Sequence, residues 1–465
     1  MEFFWFVVRF LAVTVGFTVL HGYVWWRLFR DTTRPGSRWR PIGAIGLGVL
    51  AAFGLAARFF VPSSVPMGTQ EFLGWPGWIW FGIFMYLLGF LVVAEPLRWW
   101  LLRRHRNAEN AETTLRAEPP MASAVPAEPP KAGTQFAPEP VAALAGTGPQ
   151  ESGIDPAAEP AAAESKPPPR KPDPVTTVPP ESNAGSGPTR RRFVSRAIGL
   201  GVAVAATATT GYGLIEGYRT PTLKDVAVPI SRLDRTFDGY RIAVVGDTHL
   251  SAIRGRGYCE RVVDQINRTQ PDLIAFVGDL ASGEADQLRD ATEPLARLAS
   301  RDGAYFVAGN AEHYVGADSW YERVEELGMI PLPNTRVELP GFDLAGVNDL
   351  IVEQRHLTDE VGPDLEAALA DRDPERASVL MAHQPDFVVR AVDWGVDLQL
   401  SGHTHGGQMW PIHILTRMRD LQVSGMGQYG DTRLYVTNGA GTNGPPMRVA
   451  APPDITVMTL RSTKA

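Results

Sequence analysis

Cysteine is almost absent from this chain. Cys259 stands alone among 465 residues, so neither an intramolecular disulfide nor a multi-thiolate metal site can form. That scarcity suits a reducing cytosol and a thiol-free exported domain equally, and it leaves the compartment open. Excess basic charge is missing too: the formal net charge is -7, whereas a nucleic-acid partner requires a basic face, so no nucleic acid is expected. Two absences are local. Residues 61–76, "VPSSVPMGTQEFLGWP", contain no Lys or Arg, and the stretch after the first hundred residues is rich in Pro and Ala but almost free of aromatics.

What is present begins with three long apolar runs, at about 10–28, 42–60 and 75–101. Each is long enough to cross a bilayer, which takes about 20 residues. Trp25, Trp26, Trp78, Trp80, Trp99 and Trp100 stand near their ends, where indoles favour the membrane interface. Residues 1–103 are therefore expected to form a membrane region with three transmembrane helices. "RLFRDTTRPGSRWR" separates the first two spans and "RWWLLRRHR" closes the third. By the positive-inside rule the N-terminus lies outside and the chain after the third span is cytoplasmic.

Residues 104–188 read as a disordered linker, with many prolines and too little apolar surface to fold. At 189–216 "TRRRFVS" precedes a weakly apolar Ala/Gly/Thr run. It resembles a twin-arginine export signal, in an unusual internal position, and it also reads as a fourth transmembrane helix. Either way the C-terminal domain is expected outside the cytoplasm, on a multi-pass protein of the inner or plasma membrane.

Residues 221–465 have the rhythm of a layered α/β domain. Strand-like runs recur at 240–246, 272–278, 304–309, 378–383, 397–403, 433–439 and 454–460, with helical stretches such as "GYCERVVDQINRT" and "ADSWYERVEELG" between them. Five strand ends carry metal-ligand types: Asp247 and His249, Asp279, Asn310, His383, and His403 with His405. Glycine precedes Asp247, Asp279, Asn310 and His403, freeing the backbone to turn as it leaves the sheet. In an extended segment Asp247 and His249 share one side, as do His403 and His405. Sheet-end loops are where open α/β folds bind ligands.

The order D-x-H, G-D, G-N, H, G-H-x-H resembles the calcineurin-like metallophosphoesterases, and "GHTHGGQ" together with the membrane spans resembles their membrane-associated branch. The resemblance covers essentially all of residues 221–465. It implies a sandwich of two mixed β-sheets flanked by helices, with two metals at one edge. Asp247, His249, Asp279 and His405 would hold one metal; Asp279, Asn310, His383 and His403 would hold the second. Without a thiolate, Mn, Fe or Zn fits this donor set. Such an ion pair polarises phosphoryl oxygens and lowers the pKa of a shared water, and the hydroxide attacks in line. The expected activity is hydrolysis of a phosphoester, as a phosphodiesterase on a lipid or nucleotide-type substrate. The alternative is a catalytically impaired module that senses phosphorylated envelope components.

Substrate contacts are less determined. Gly406, Gly407 and Gln408 would present N–H groups or an amide to the substrate, or only form a tight turn. Arg448 reads as a phosphate contact or as a solvated loop residue. Asn348 and Asp349 read as structural. In the resembled family Gly-Asn is followed by a histidine that protonates the leaving group, but here Ala311 follows Asn310. His313 is the candidate replacement. It reaches inward if the loop is extended, and turns away by about 200° if a helix begins here.

Overall fold

The computed structural model describes residues 2–59, 65–117 and 190–464. Four long helices come first: α1 (Glu2–Trp25), α2 (Trp39–Phe59), α3 (Met67–Ala117) and α4 (Arg190–Tyr218). Three helical segments among the described residues, Trp39–Phe59, Met67–Arg104 and Arg191–Tyr218, are long and apolar enough to cross a membrane. Helix α3 runs on to Ala117, past residue 104 where the sequence predicted the linker to begin. The rest of that linker and Thr189 lie outside the described residues.

Charge gathers at one end of this bundle. Arg27 and Arg98 pair with Asp31 at 3.0 and 2.6 Å, and Arg27 also pairs with Glu95 at 2.8 Å. Arg196 Nε donates to the Thr32 carbonyl. The α/β domain docks towards the other end: Tyr218 stacks on Trp75 and donates to the Ile253 carbonyl, and the Arg448 N–H donates to Gly213.

The domain has twelve strands in two sheets. They are β1 (Thr222–Ile230), β2 (Arg241–Val245), β3 (Leu273–Val277), β4 (Ala304–Val307), β5 (Ile330–Pro331), β6 (Thr335–Glu338), β7 (Asp343–Gly346), β8 (Ser378–Met381), β9 (Leu398–Ser401), β10 (Gly425–Tyr429), β11 (Thr432–Val436) and β12 (Asp454–Ser462). One sheet runs β1-β12-β2-β3-β4-β5, the other β10-β11-β9-β8-β7-β6. Both are mixed: β2 to β5 are parallel, as are β7, β8, β9 and β11, while β12–β2, β10–β11 and β6–β7 are antiparallel.

Alternation along each strand assigns the layers. In β2, Ile242 and Val244 face the second sheet, packing in one core with Val379, Met381, Leu398 and Leu400. Their neighbours Ala243 and Val245 face the other way, against Tyr258, Val262 and Ile266 of the helix Arg256–Arg268. On the far side of the second sheet Leu380 packs with Leu365, Phe387 and Ala391. Strands buried on both faces read as continuous apolar runs, which is why "RIAVV" and "LIAFV" are legible in the sequence. The layering also brings the C-terminal ends of β2, β3 and β4 beside those of β8 and β9.

Candidate metal centre

Each predicted ligand leaves a strand within a few residues of its C-terminal end. Asp247 and His249 follow β2, Asp279 follows β3, Asn310 follows β4, His383 follows β8, and His403 and His405 follow β9. The structure brings these seven residues to one place. His249 Nε2 and His405 Nε2 are 3.0 Å apart, and His405 Nε2 lies 3.5 Å from Asp247 Oδ1. Ligating atoms of Asp247, His249, Asp279 and His405 all lie within 4.8 Å of one another. In a second group His403 Nδ1 is 2.8 Å from Asn310 Oδ1 and 3.3 Å from His383 Nε2. Asp279 joins the two, with Oδ2 3.3 Å from His249 Nε2 and Oδ1 3.4 Å from His383 Nε2.

The backbone here is not the extended chain that the two-residue spacing suggested. Asp247, His249, Asp279, His403 and His405 all have positive φ, between 44° and 73°. Non-glycine residues adopt this left-handed region at a cost, and such strain concentrates at functional sites. The D-x-H and H-x-H pairs converge because the chain coils tightly at both ends of the motif, not because it runs straight.

The preceding glycines also have a second reason to be there. A Cβ on Gly309 would stand 2.4 Å from Asp279 Oδ1, and one on Gly402 would stand 2.4 Å from Asp247 Oδ2. The loops approach so closely that no side chain fits between them.

Partners behind the ligands fix their direction. His383 Nδ1–H donates to the Val277 carbonyl at 2.8 Å, and His249 Nδ1 is bonded to Ser282 Oγ at 2.8 Å. Each ring therefore keeps Nε2 for the centre, the usual outer-shell arrangement of a metal-bound imidazole. Asp247 accepts the His403 N–H on both oxygens, at 3.0 Å each. Glu312 joins two loops: it accepts N–H bonds from Gly309 of its own loop and from Asp279 and Ala281 of the loop after β3, at 2.8–3.1 Å. Its signal was its place three residues after Gly309, where a glutamate reaches back to the start of a helix.

The electrostatics favour bound cations. Asp247, Asp279, Glu312 and Asp349 are all buried at this edge. Burial pushes Asp247 up to about 6, against the pull of His383, and burial with the Asp279 charge pushes Glu312 up to about 7. Burial would raise Asp279 too, but the His383 and His249 imidazoles beside it outweigh that and hold it well below the usual range. Burial and the neighbouring His383 hold His403 down to about 3, so its imidazole is neutral and able to coordinate. Two ligands about 2.1 Å from a shared ion, 90–109° apart, stand about 3.0–3.4 Å from each other. The separations found here, 2.8–3.5 Å, lie close to that spacing, so the residues fit bound metal.

Comparison with known proteins agrees. Residues 240–407 match the family model described as calcineurin-like phosphoesterase. A Bacillus subtilis protein, "Uncharacterized metallophosphoesterase YkuE", is 32% identical over 290 residues, spanning 59% of this chain and 98% of the relative. A Helicobacter pylori metallophosphoesterase is 30% identical over 275 residues, 59% of this chain and 73% of its own length. This chain belongs to the calcineurin-like metallophosphoesterase family. It is also 33% identical over 261 residues to the zebrafish (Danio rerio) "Transmembrane protein with metallophosphoesterase domain". That alignment covers 54% of this chain and only 60% of the relative.

The substrate-side expectations fare differently in this metallophosphoesterase. Asn310–His313 forms one helical turn, which turns His313 away from the cleft. Its Nδ1–H donates to Glu360 at 2.7 Å and its Nε2 accepts the Asp349 N–H at 3.3 Å. With both nitrogens engaged and the ring buried, His313 is a structural residue and not the displaced acid. Asn348 and Asp349 belong to the same scaffold: Tyr321 donates to Asn348, and Gln384 donates to Asp349.

Arg448 is no phosphate contact either. Its guanidinium donates to the carbonyls of Gly441, His405, Ala451, Asn438 and Gly439, which engages all its N–H groups. It ties the last ligand loop to residues 438–451. Gly406, Gly407 and Gln408 form the tight turn: their N–H groups bond to Thr404 Oγ1, Thr404 O and His405 O. The Gln408 amide is spent on Asn443 and Pro445. The cation that does stand at the metal edge is Arg419, with Nη2 3.4 Å from His403 Nε2 and its side chain 68% exposed. Nothing local in the sequence marked it.

Proposed function

We propose that this protein is a membrane-anchored phosphodiesterase that uses a metal pair to hydrolyse an amphiphilic, lipid-type phosphoester outside the cytoplasm. The observation that carries the reading is a cavity of about 540 Å³ beside the metal edge. One wall is His249, Asn310 and Ala311; the opposite wall is Ala57, Trp78 and Phe81 of the long N-terminal helices. A polar phosphoester end and an apolar chain would each meet matching surface there. The orientation rests on charge: Arg27, Arg98 and Arg196 lie at the end of the bundle away from the docked domain, and basic residues favour the cytoplasmic side.

Asp247, His249, Asp279 and His405 would hold one ion; Asp279, Asn310, His383 and His403 would hold the other, with Mn, Fe or Zn all suited to these donors. When bound, such ions supply Lewis-acid activation of a phosphoryl group and of water. The chain's own residues orient these donors and keep the His403 and His405 imidazoles neutral, and Arg419 offers positive charge at the rim. Ala311 donates its N–H to Asp279 at 2.8 Å and presents only a methyl group to the cavity. The chain therefore supplies no side-chain acid at that position, which suits a substrate whose leaving group departs unaided.

A second reading, a sensor that binds phosphorylated envelope components without turnover, is favoured by that same lack of an acid. One experiment separates the two. The full chain, purified in detergent and loaded with Mn²⁺, is assayed on two activated aryl phosphodiesters that share one leaving group, one esterified with methyl and one with a long alkyl chain. Turnover of both, with kcat/KM at least about tenfold higher for the long-chain ester, is expected. Full metal occupancy with no turnover of either would leave the sensor reading standing.

A further inference from the structure

Between the last metal ligand and β10 the chain reads "MWPIHILTRMRDL", residues 409–421. The helix within it, His413–Arg419, buries none of its residues. Trp410, Ile414, Leu415, Met418 and Leu421 are 49%, 51%, 65%, 80% and 54% exposed. Within the helix Ile414, Leu415 and Met418 fall on one side, and Trp410 and Leu421 flank its two ends. Water does not tolerate such a concentration without reason, and a patch of this kind marks a contact with something apolar.

What it contacts is indicated by its neighbours. Met409 and Ile412, from the same segment, pack in one cluster with Phe84, Leu87, Leu91 and Val202 of α3 and α4. Tyr86 of α3 donates its hydroxyl to the Trp410 carbonyl at 2.9 Å. Tyr86 precedes Glu95, in the charged cluster at the far end of the bundle, by nine positions (86 to 95). At 1.5 Å per residue that is about 14 Å along the helix, short of the roughly 30 Å of a hydrocarbon core. The segment is therefore attached within the length of α3 that would cross the bilayer. Around it Val92, Val93 and Leu200 of the helices are also exposed, so its apolar side continues a lipid-facing surface. Arg417 and the Arg419–Asp420 pair supply the polar side of an interfacial helix.

We propose that residues 410–421 form a membrane-embedded element whose partner is the acyl chains of the bilayer. The segment is tied directly to the metal edge. Arg419 reaches His403, and a Cβ on Gly407 would stand 2.4 Å from His413 Cβ. Immersion of the segment would thus open the metal edge at the bilayer surface, where a lipid headgroup is within reach without leaving the membrane. The inference concerns where the segment lies, and it holds whether or not the protein turns over a substrate.

Cysteine labelling tests it. Cys259 is buried, so the full chain carrying Met418→Cys or Leu415→Cys accepts one environment-sensitive dye, with the unsubstituted chain as the labelling blank. A third variant, Glu375→Cys, labels an exposed loop before β8, at the strand ends away from the metal edge. The labelled chains are reconstituted in phosphatidylcholine/phosphatidylglycerol vesicles with brominated acyl chains. Dyes at 415 and 418 are expected to lose at least about half their emission to the bromines and to resist aqueous iodide, with the reverse at 375. Equal iodide quenching at all three positions, with no bromine quenching, would overturn the proposal. Cross-linking of Met418→Cys between two copies, in place of bromine quenching, would overturn it as well and assign the face to a second chain.

Discussion

The two halves of the metal centre differ in what surrounds them. Asp247, His249 and His405 are enclosed, each at most 4% exposed, and of the three only His249 borders the cavity. Asn310 and His403 are only half-buried, with the cavity beside Asn310 and Arg419 beyond His403. Asp279 and His383, fully buried, lie between. An enclosed set of donors keeps a cation in place, whereas only the open half leaves room for a phosphoryl group. Substrate would therefore arrive over Asn310 and His403, and Ala311 stands on that open side. On the proposed reading, the position without an acid lies in the half where an acid would act.

The strongest way to break this distinction is to remove the residue both halves share. Asp279→Ala is expected to lose both ions and more than about 10³-fold of turnover; metal analysis and kcat measured together check it, and retention of one tightly held ion would show the halves to be independent. Changing the open half alone should give a gain. Ala311→His is expected to speed hydrolysis of alkyl esters with poor leaving groups by about 10²-fold, the usual contribution of a general acid. The rate on an activated aryl ester should stay the same, so equal acceleration of both would argue against a protonation defect.

Glu312→Gln disturbs the support common to both halves. A carboxylate there accepts three N–H bonds, while an amide brings its own donors against one of them. Metal affinity is expected to fall about 10- to 100-fold and stability by about 1–3 kcal/mol, read by titration and by denaturant unfolding. The smallest effect on catalysis belongs to His313→Ala. It removes the bond to Glu360 and the acceptor for Asp349, so stability falls by about 1–3 kcal/mol. Turnover should stay within about threefold, because the ring faces away from the cleft. A pH–rate profile that lost its acidic limb in this variant would restore His313 as the acid.

The ligands were legible because they obey local rules. Each follows an apolar strand buried on both faces, and a glycine or a short spacing marks the exit. β1, β5, β6 and β10 were not legible: β1 and β10 alternate half-buried and exposed residues, β5 has two residues, and β6 is short and polar. Arg448 and Gln408 misled for a related reason. A polar side chain after a motif reads as a substrate contact, and only packing shows its hydrogen bonds spent on backbone carbonyls.

The sequence by itself determined the order of membrane runs and α/β domain, the strands that carry the site, and the candidate ligands at their ends, because chain-local patterns of apolar run, glycine and spacing encode them. Tertiary structure alone decided the left-handed turns at the ligands, the fate of His313, and Glu312's bridge between two loops. It also decided that Arg419 and the apolar segment around it come to rest beside the metal edge. Those outcomes depend on which distant loops meet, and the helical turn Asn310–His313 was enough to turn a candidate acid from the cleft into the scaffold.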